Sequence, residues 1–355
     1  MIEEHKEKRL MIQREKKYDY LRGISCMAIV LLHVSSSYWA VVGIESSEFV
    51  IMTIYNGLTR FAVPVFMMLS GGFLLEHKKN MNIKQCLIRF GKYLLNFYIW
   101  SAFYAFQGIV KKIVIGEKIT QTLWDSSLER FLWGHYHMWF VYLILGFYLM
   151  LPILRKLSEN KTVIEYFLIL WIVTRFIIPS ISSIEKLNFI NIWIGKLEIN
   201  MLIGYMGYFI LGYYIKEYAI SLKLRVIIYV GGILSFIYSL IETIRQSYIQ
   251  GVCVENYFSP SSWNVLLFST AIFTLFTYLK RVDTGYFLVE KVAKGSFIIY
   301  MIHPFFIEKL NLIGVTTISF NCLWSIPLLT MVVFLCSVLV ADVIKRIPFV
   351  KKFLL

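Results

Sequence analysis

Apolar residues run along this chain in long blocks, with most charged residues gathered between them. Windows of about 20 apolar residues, enough to cross a bilayer as a helix, fall at 20–42, 50–76, 90–114, 138–155, 162–180, 199–217, 225–244, 263–280, 296–313 and 322–344. The pattern predicts an all-α, polytopic integral membrane protein of about ten transmembrane helices. Loops between the blocks are short and leave no room for a soluble domain. Three parts follow: a basic N-terminal segment (1–17), a membrane domain (18–344) and a basic C-terminal tail (345–355).

Two ionisable residues interrupt the first block, Arg22 and His33. Eleven residues amount to three helical turns plus about 20°, so both side chains share one helix face, roughly 16 Å apart. Charges and imidazoles inside a bilayer are costly and mark functional candidates. Imidazole titrates near neutrality, which suits His33 to act as a general base. A neutral His bonded to a neighbouring helix is the plainer alternative.

Composition agrees with the pattern. Mean hydropathy is +0.66 and only 16% of residues are charged, against about 25% in soluble domains. Met1–Tyr18 is charged, and no small-residue cleavage site follows the first block, so that block is expected to be retained rather than cleaved as a signal peptide. The five cysteines show neither zinc nor disulfide spacing and read as packing residues.

The net charge of +14 raises nucleic acid as a ligand, but its distribution argues otherwise. With the N-terminus in the cytoplasm, 26 of 36 basic residues fall on cytoplasmic segments and eight in or beside outer ones, while Arg60 and Arg175 lie within spans. This positive-inside bias predicts that both termini are cytoplasmic. The charge then serves topology and contact with anionic membrane lipids, with no nucleic-acid partner. Outer segments are rich in aromatic residues, among them Trp39, Trp133 and Trp139. They read as an interfacial belt, as a stacking platform for sugar rings, or as both.

Further constellations carry possible chemistry. Arg60 enters the second block just before Pro64 and Ser70-Gly71-Gly72. A buried Arg needs an anionic or carbonyl partner, whereas the Gly pair and Pro are ordinary packing and kinking devices. Arg89 and Lys92, one turn apart at the start of the third block, suit the phosphates of a nucleotide-type donor, or simply flank the membrane. His135 and His137 have no evident third metal ligand, so no metal site is expected, and His137 with Trp139 reads as the lining of an outer cavity. Ser296, Tyr300 and His303 fall on one helical face, a polar stripe in an apolar helix.

Taken in order, these segments resemble the acyltransferase-3 family of bacterial membrane O-acyltransferases, over about residues 18–344. The resemblance rests on Arg22-x10-His33, Arg60…Phe66-Met-Met-Leu-Ser-Gly71, Arg89-x-x-Lys92, His137-Met-Trp-Phe140, Gly204–Tyr214 and Ser296…Tyr300…His303-Pro304. One departure is Lys92, where the family often has a second Arg; Lys keeps the charge but loses the bidentate fork. The compact form is similar to the branch that acetylates lipid-linked or surface glycans.

The resemblance implies an acyltransferase of a bacterial plasma membrane that transfers groups other than aminoacyl groups. Its donor would be cytoplasmic acyl-CoA, most simply acetyl-CoA, with no permanently bound cofactor, and its acceptor a hydroxyl of an envelope glycan or lipid-linked sugar. Arg22, Arg89 and Lys92 would hold donor phosphates, and His33 would be the base. Arg60 would stabilise the tetrahedral intermediate or contact the donor. Trp39, His137, Trp139, Ser296, Tyr300 and His303 would line the acceptor path. The alternative is a transporter or exporter of a small amino acid or a polysaccharide, suggested by a similarity to the membrane halves of serine/alanine racemases. It would use the same charges as a translocation relay.

Overall fold

The computed structural model describes residues 2–77, 81–182, 195–196, 204–280 and 285–347, with side chains from residue 16 onward. Lys78, Lys79, the start of the 199–217 span and the tail beyond residue 347 lie outside the described residues. Among the described residues every regular element is helical. Among the described residues, five stretches are long and apolar enough to cross a membrane by length and composition: Ser47–Leu74, Gln121–Leu157, Lys161–Ile181, Leu222–Gln250 and Cys322–Arg346.

The chain divides into two compact units, Met1–Glu76 with Asn160–Asp342, and His77–Glu159 with Val343–Leu355. In the first unit, α1 (Ile2–Ser36) is one continuous helix through both Arg22 and His33. It outlasts the predicted 20–42 block at its start and stops short of it at its end. The second predicted span is two helices, α2 (Ser47–Thr59) and α3 (Ala62–Leu74), separated at Arg60-Phe61. Pro64 explains the break, because it has no N–H to give the Arg60 carbonyl and its ring crowds that carbonyl.

The second unit consists mainly of α4 (Ile83–Val114), α5 (Gln121–Trp133) and α6 (Trp139–Leu157). A capping box closes the start of α4: Asn82 accepts from the Gln85 N–H, and the Gln85 side chain accepts from the Asn82 N–H. The hydropathy windows did not mark α5, whose mixed polar sequence lacks a long apolar run. It is tied to α4 by the Ser101 hydroxyl, which donates to the carbonyls of Arg130 (3.0 Å) and Phe131 (2.6 Å).

Back in the first unit follow α7 (Lys161–Ile172), a π-turn (Val173–Ile177), α8 (Ile178–Ser182), α9 (Met206–Glu217), α10 (Leu222–Gln250), α11 (Trp263–Tyr278), α12 (Tyr286–Leu312) and α13 (Cys322–Arg346) as far as Asp342. The π-turn has the same origin as the α2–α3 break. Pro179 cannot donate to the Arg175 carbonyl four residues back, and the hydrogen bond passes instead from Ile178 N–H to Val173 O.

Small residues bring helices of this unit into backbone contact. A Cβ on Gly71 of α3 would strike the Phe209 carbonyl of α9, and one on Gly212 of α9 would strike the Met68 backbone of α3. Close approach through glycine is how helices associate where lipid gives no hydrophobic drive. The crossing is locked by Lys216, whose ammonium donates to the Gly72 carbonyl (2.8 Å) and pairs with Glu76 (3.7 Å).

Candidate functional site

The continuous α1 places Arg22 and His33 on a common face, as their spacing requires. At the Arg22 level, Asp19 Oδ1 is 3.7 Å from the guanidinium, and Asp19 Oδ2 accepts a 2.9 Å hydrogen bond from Tyr286. The Arg22 guanidinium also lies 5.7 Å from the Phe73 ring centroid, and Lys216 lies 4.0 Å from the same ring. Two cations of different helices thus approach one aromatic ring. Sequence reading counted Lys216 only as a flanking charge.

Three turns along, the His33 ring centroid is 5.0 Å from that of His303 on α12. His303 is fully buried, and its Nδ1 lies 2.7 Å from the Tyr300 carbonyl. A carbonyl only accepts, so Nδ1 carries the proton and Nε2 of the neutral ring is left as an acceptor. The packing of α1 on α12 also sets Cys26 against the Ser296 carbonyl (3.8 Å). The Ser296–Tyr300–His303 stripe therefore faces α1, and two of the sequence-picked residues meet as a histidine pair. The Ser37 hydroxyl caps this end of α1 by donating to the His33 carbonyl (2.7 Å).

Arg60 and Trp39 also come together. The guanidinium stands 5.8 Å from the Trp39 ring and 5.0 Å from the Phe258 ring, and these two rings stack at 5.7 Å. Trp39 is held by donating its indole N–H to Thr53 (2.9 Å). Asn56, one turn before Arg60, donates to the Ser36 hydroxyl (2.6 Å) and so registers α2 against the end of α1. Arg60 Nε is buried with no hydrogen-bond partner among the described residues. Nearby Cys253 lines a cleft of about 550 Å³ with Glu45 and Tyr248. Burial pushes its thiol up to about 11, with the Glu255 carboxylate adding to the shift and Arg60 opposing it.

The remaining candidates belong to the second unit. Arg89 and Lys92 are exposed on α4. Arg89 and Arg155 both act on the buried Cys86 thiol, which burial raises and these two cations lower. A cleft of about 880 Å³ in this unit is lined by His77, Lys84, Arg155 and Lys156 among others, a basic cavity the sequence did not reveal. His137 is buried and paired with His135 through their Nδ1 atoms (3.0 Å), while Tyr104 stacks on His135 at 4.3 Å. Trp139 is exposed. Among the described residues, no group of three or more His, Cys, Asp or Glu side chains is placed to hold a metal.

Helices of this length and apolarity, with ionisable groups on their inward faces, define a polytopic membrane protein. A family model described as an acyltransferase domain, that of the acyltransferase-3 family, matches residues 15–346. The chain belongs to that family and is a membrane acyltransferase. No curated protein and no solved structure matches it.

Proposed function

We propose that this acyltransferase moves an acetyl group from cytoplasmic acetyl-CoA to a hydroxyl of an envelope glycan or lipid-linked sugar at a bacterial plasma membrane, with His33 as general base. The observation that carries this reading is the His33–His303 pair, set along α1 from the Arg22–Lys216 cations. Phosphates of the donor suit Arg22 and Lys216 in the first unit; Arg89 and Lys92, exposed on α4, are a separate basic pair of the second unit with the same chemistry. The pantetheine arm covers the roughly 16 Å that separates Arg22 from His33 along the helix.

At His33 the acceptor hydroxyl attacks the thioester carbonyl and gives its proton to the imidazole. A carbon–oxygen bond forms. The tetrahedral intermediate then collapses, the carbon–sulfur bond breaks, and the departing thiolate recovers the proton from His33. His303, fixed as the Nδ1–H tautomer by the Tyr300 carbonyl, turns its acceptor nitrogen to the interior and sets the polarity around His33. Trp39 and the Ser296–Tyr300 stripe stand on the acceptor side. His137 and Trp139 keep the same role in the second unit.

Purified protein given radiolabelled acetyl-CoA and envelope glycan tests this. His33→Ala should lower transfer by about 10²–10⁴-fold, the usual contribution of a general base. His303→Gln, a positioning change, should move the pH dependence of kcat more than KM. Undiminished transfer by His33→Ala would sink the proposed base, and substrate crossing proteoliposomes without acyl-CoA would favour a transporter.

A further inference from the structure

Besides Arg22, the apolar spans hold Arg60 and Arg175, and the first unit brings these two to one loop. Arg60 rests on the Phe258 ring, and Arg175 hydrogen-bonds through Nη2 to the Ser261 hydroxyl, three residues further on. Tyr208, on the neighbouring α9, donates to the Pro260 carbonyl between them (2.8 Å). The loop is itself braced, since Ser262 donates to the Asn256 carbonyl (2.7 Å) and the Asn264 amide to the Tyr257 carbonyl.

Both arginines occupy the same local device. Each precedes a proline by four residues, Arg60 before Pro64 and Arg175 before Pro179, and each proline opens the helix at its arginine. One opening is a two-residue break and the other a π-turn, a feature that often marks functional sites.

The charges do not balance. Neither guanidinium forms an ion pair with a carboxylate of the described residues, and Arg60 Nε is buried without a hydrogen-bond partner. Arg60 feels one carboxylate, the exposed Glu255, whereas Arg175 feels only the hydroxyls of Tyr205 and Tyr208. Tyr205 feels both arginines. Among the described residues, two fixed cations against one acid leave a single excess positive charge, which is costly in an apolar span unless a ligand neutralises it.

We propose that Arg60 and Arg175, with the Tyr205 and Ser261 hydroxyls, bind the phosphate of a lipid-borne ligand. A monoanionic phosphodiester supplies the missing charge. Its two non-bridging oxygens project tetrahedrally and can meet guanidiniums that approach from different helices, whereas a planar carboxylate holds both oxygens in one plane. Two sources share this chemistry: the phosphate that links a sugar acceptor to its lipid, and the phosphate of an ordinary phospholipid. The first rests on the acyl-transfer reading above and would make this the acceptor's anchor, while phosphate binding itself needs no acyl donor.

The test is ligand binding by full-length protein in dodecyl maltoside, without acyl-CoA, followed by native mass spectrometry. The probe is dodecyl methyl phosphate, a monoanionic phosphodiester, with dodecanoate and phosphatidylglycerol as competitors. Wild type should bind one molecule of it, and Arg175→Gln should bind it roughly tenfold more weakly, as expected for losing a charge-assisted contact. Arg175→Lys, which keeps the charge and so guards against misfolding, should fall between them. Equal competition by phosphatidylglycerol would assign the site to phospholipid; failure to compete would assign it to the acceptor. Unchanged binding by both variants, or preference for dodecanoate, would overturn the proposal. Phosphate binding without acyl transfer refutes the transfer reading alone, and transfer without phosphate binding refutes this one alone.

Discussion

An imidazole or guanidinium held inside a bilayer must be matched by something, and the residues of this chain show three ways of doing it. His303 spends one nitrogen on the Tyr300 carbonyl and sets its ring beside His33. Arg22 has Asp19 and an aromatic face. Arg60 has aromatic faces, and its Nε has no hydrogen-bond partner among the described residues. Cys253 allows a pH test at this scale. A thiol pushed up to about 11 is overwhelmingly protonated at neutral pH, and only the thiolate reacts. Iodoacetamide labelling of the Cys253 peptide should therefore be about a hundredfold slower at pH 8 than for a thiol of ordinary pKa near 9. It should rise about tenfold per pH unit from pH 7 to pH 9. A rate that levels off by pH 9 would contradict the shift; peptide mass spectrometry reads it.

Helices of the first unit are positioned by missing side chains as much as by present ones. Gly71 and Gly212 let α3 and α9 meet backbone to backbone, and this contact carries Lys216 to Phe73 beside Arg22. Gly71→Ala should cost about 1–3 kcal/mol of stability through overpacking, read as a lower unfolding temperature in detergent. Donor-dependent activity should fall with it. Gly231 is the control: it lies in α10 with open space where a Cβ would go. Gly231→Ala should be neutral or stabilising by up to about 1 kcal/mol. Equal effects at the two positions would show that the α3–α9 contact is not specially tight. The apolar runs made most of these helices legible, because a bilayer forces backbone groups to pair within the segment. They did not reveal α5, whose apolar positions form no continuous run, nor the break at Arg60, although Pro64 signals it.

For the whole molecule, the basic residues carry the argument. By the positive-inside bias, the lysines and arginines of the sequence predict that both termini are cytoplasmic. Reporters fused before residue 1 and after residue 355 should both be active only as cytoplasmic fusions; opposite behaviour at the two ends would require an odd number of spans. That orientation would bring the Arg22 end of α1 to the side where acyl-CoA is made, and the Ser36 end toward the far leaflet.

Local periodicity and hydropathy by themselves determined the helical class, the shared face of Arg22 and His33, and the polar stripe from Ser296 to His303. These follow from the fixed geometry of a helix and the exclusion of water from lipid. The family likeness was legible too, in motifs spread over most of the chain. Partnership was not. That His303 stands against His33, that Lys216 shares a ring with Arg22, and that Arg60 and Arg175 meet one loop are facts of packing. Each joins residues more than eighty positions apart. The two Arg-x-x-x-Pro segments were visible in the sequence, but each reads as an ordinary kink on its own. Only the tertiary structure sums their charges, because electrostatic cost depends on what surrounds a group and not on its place along the chain.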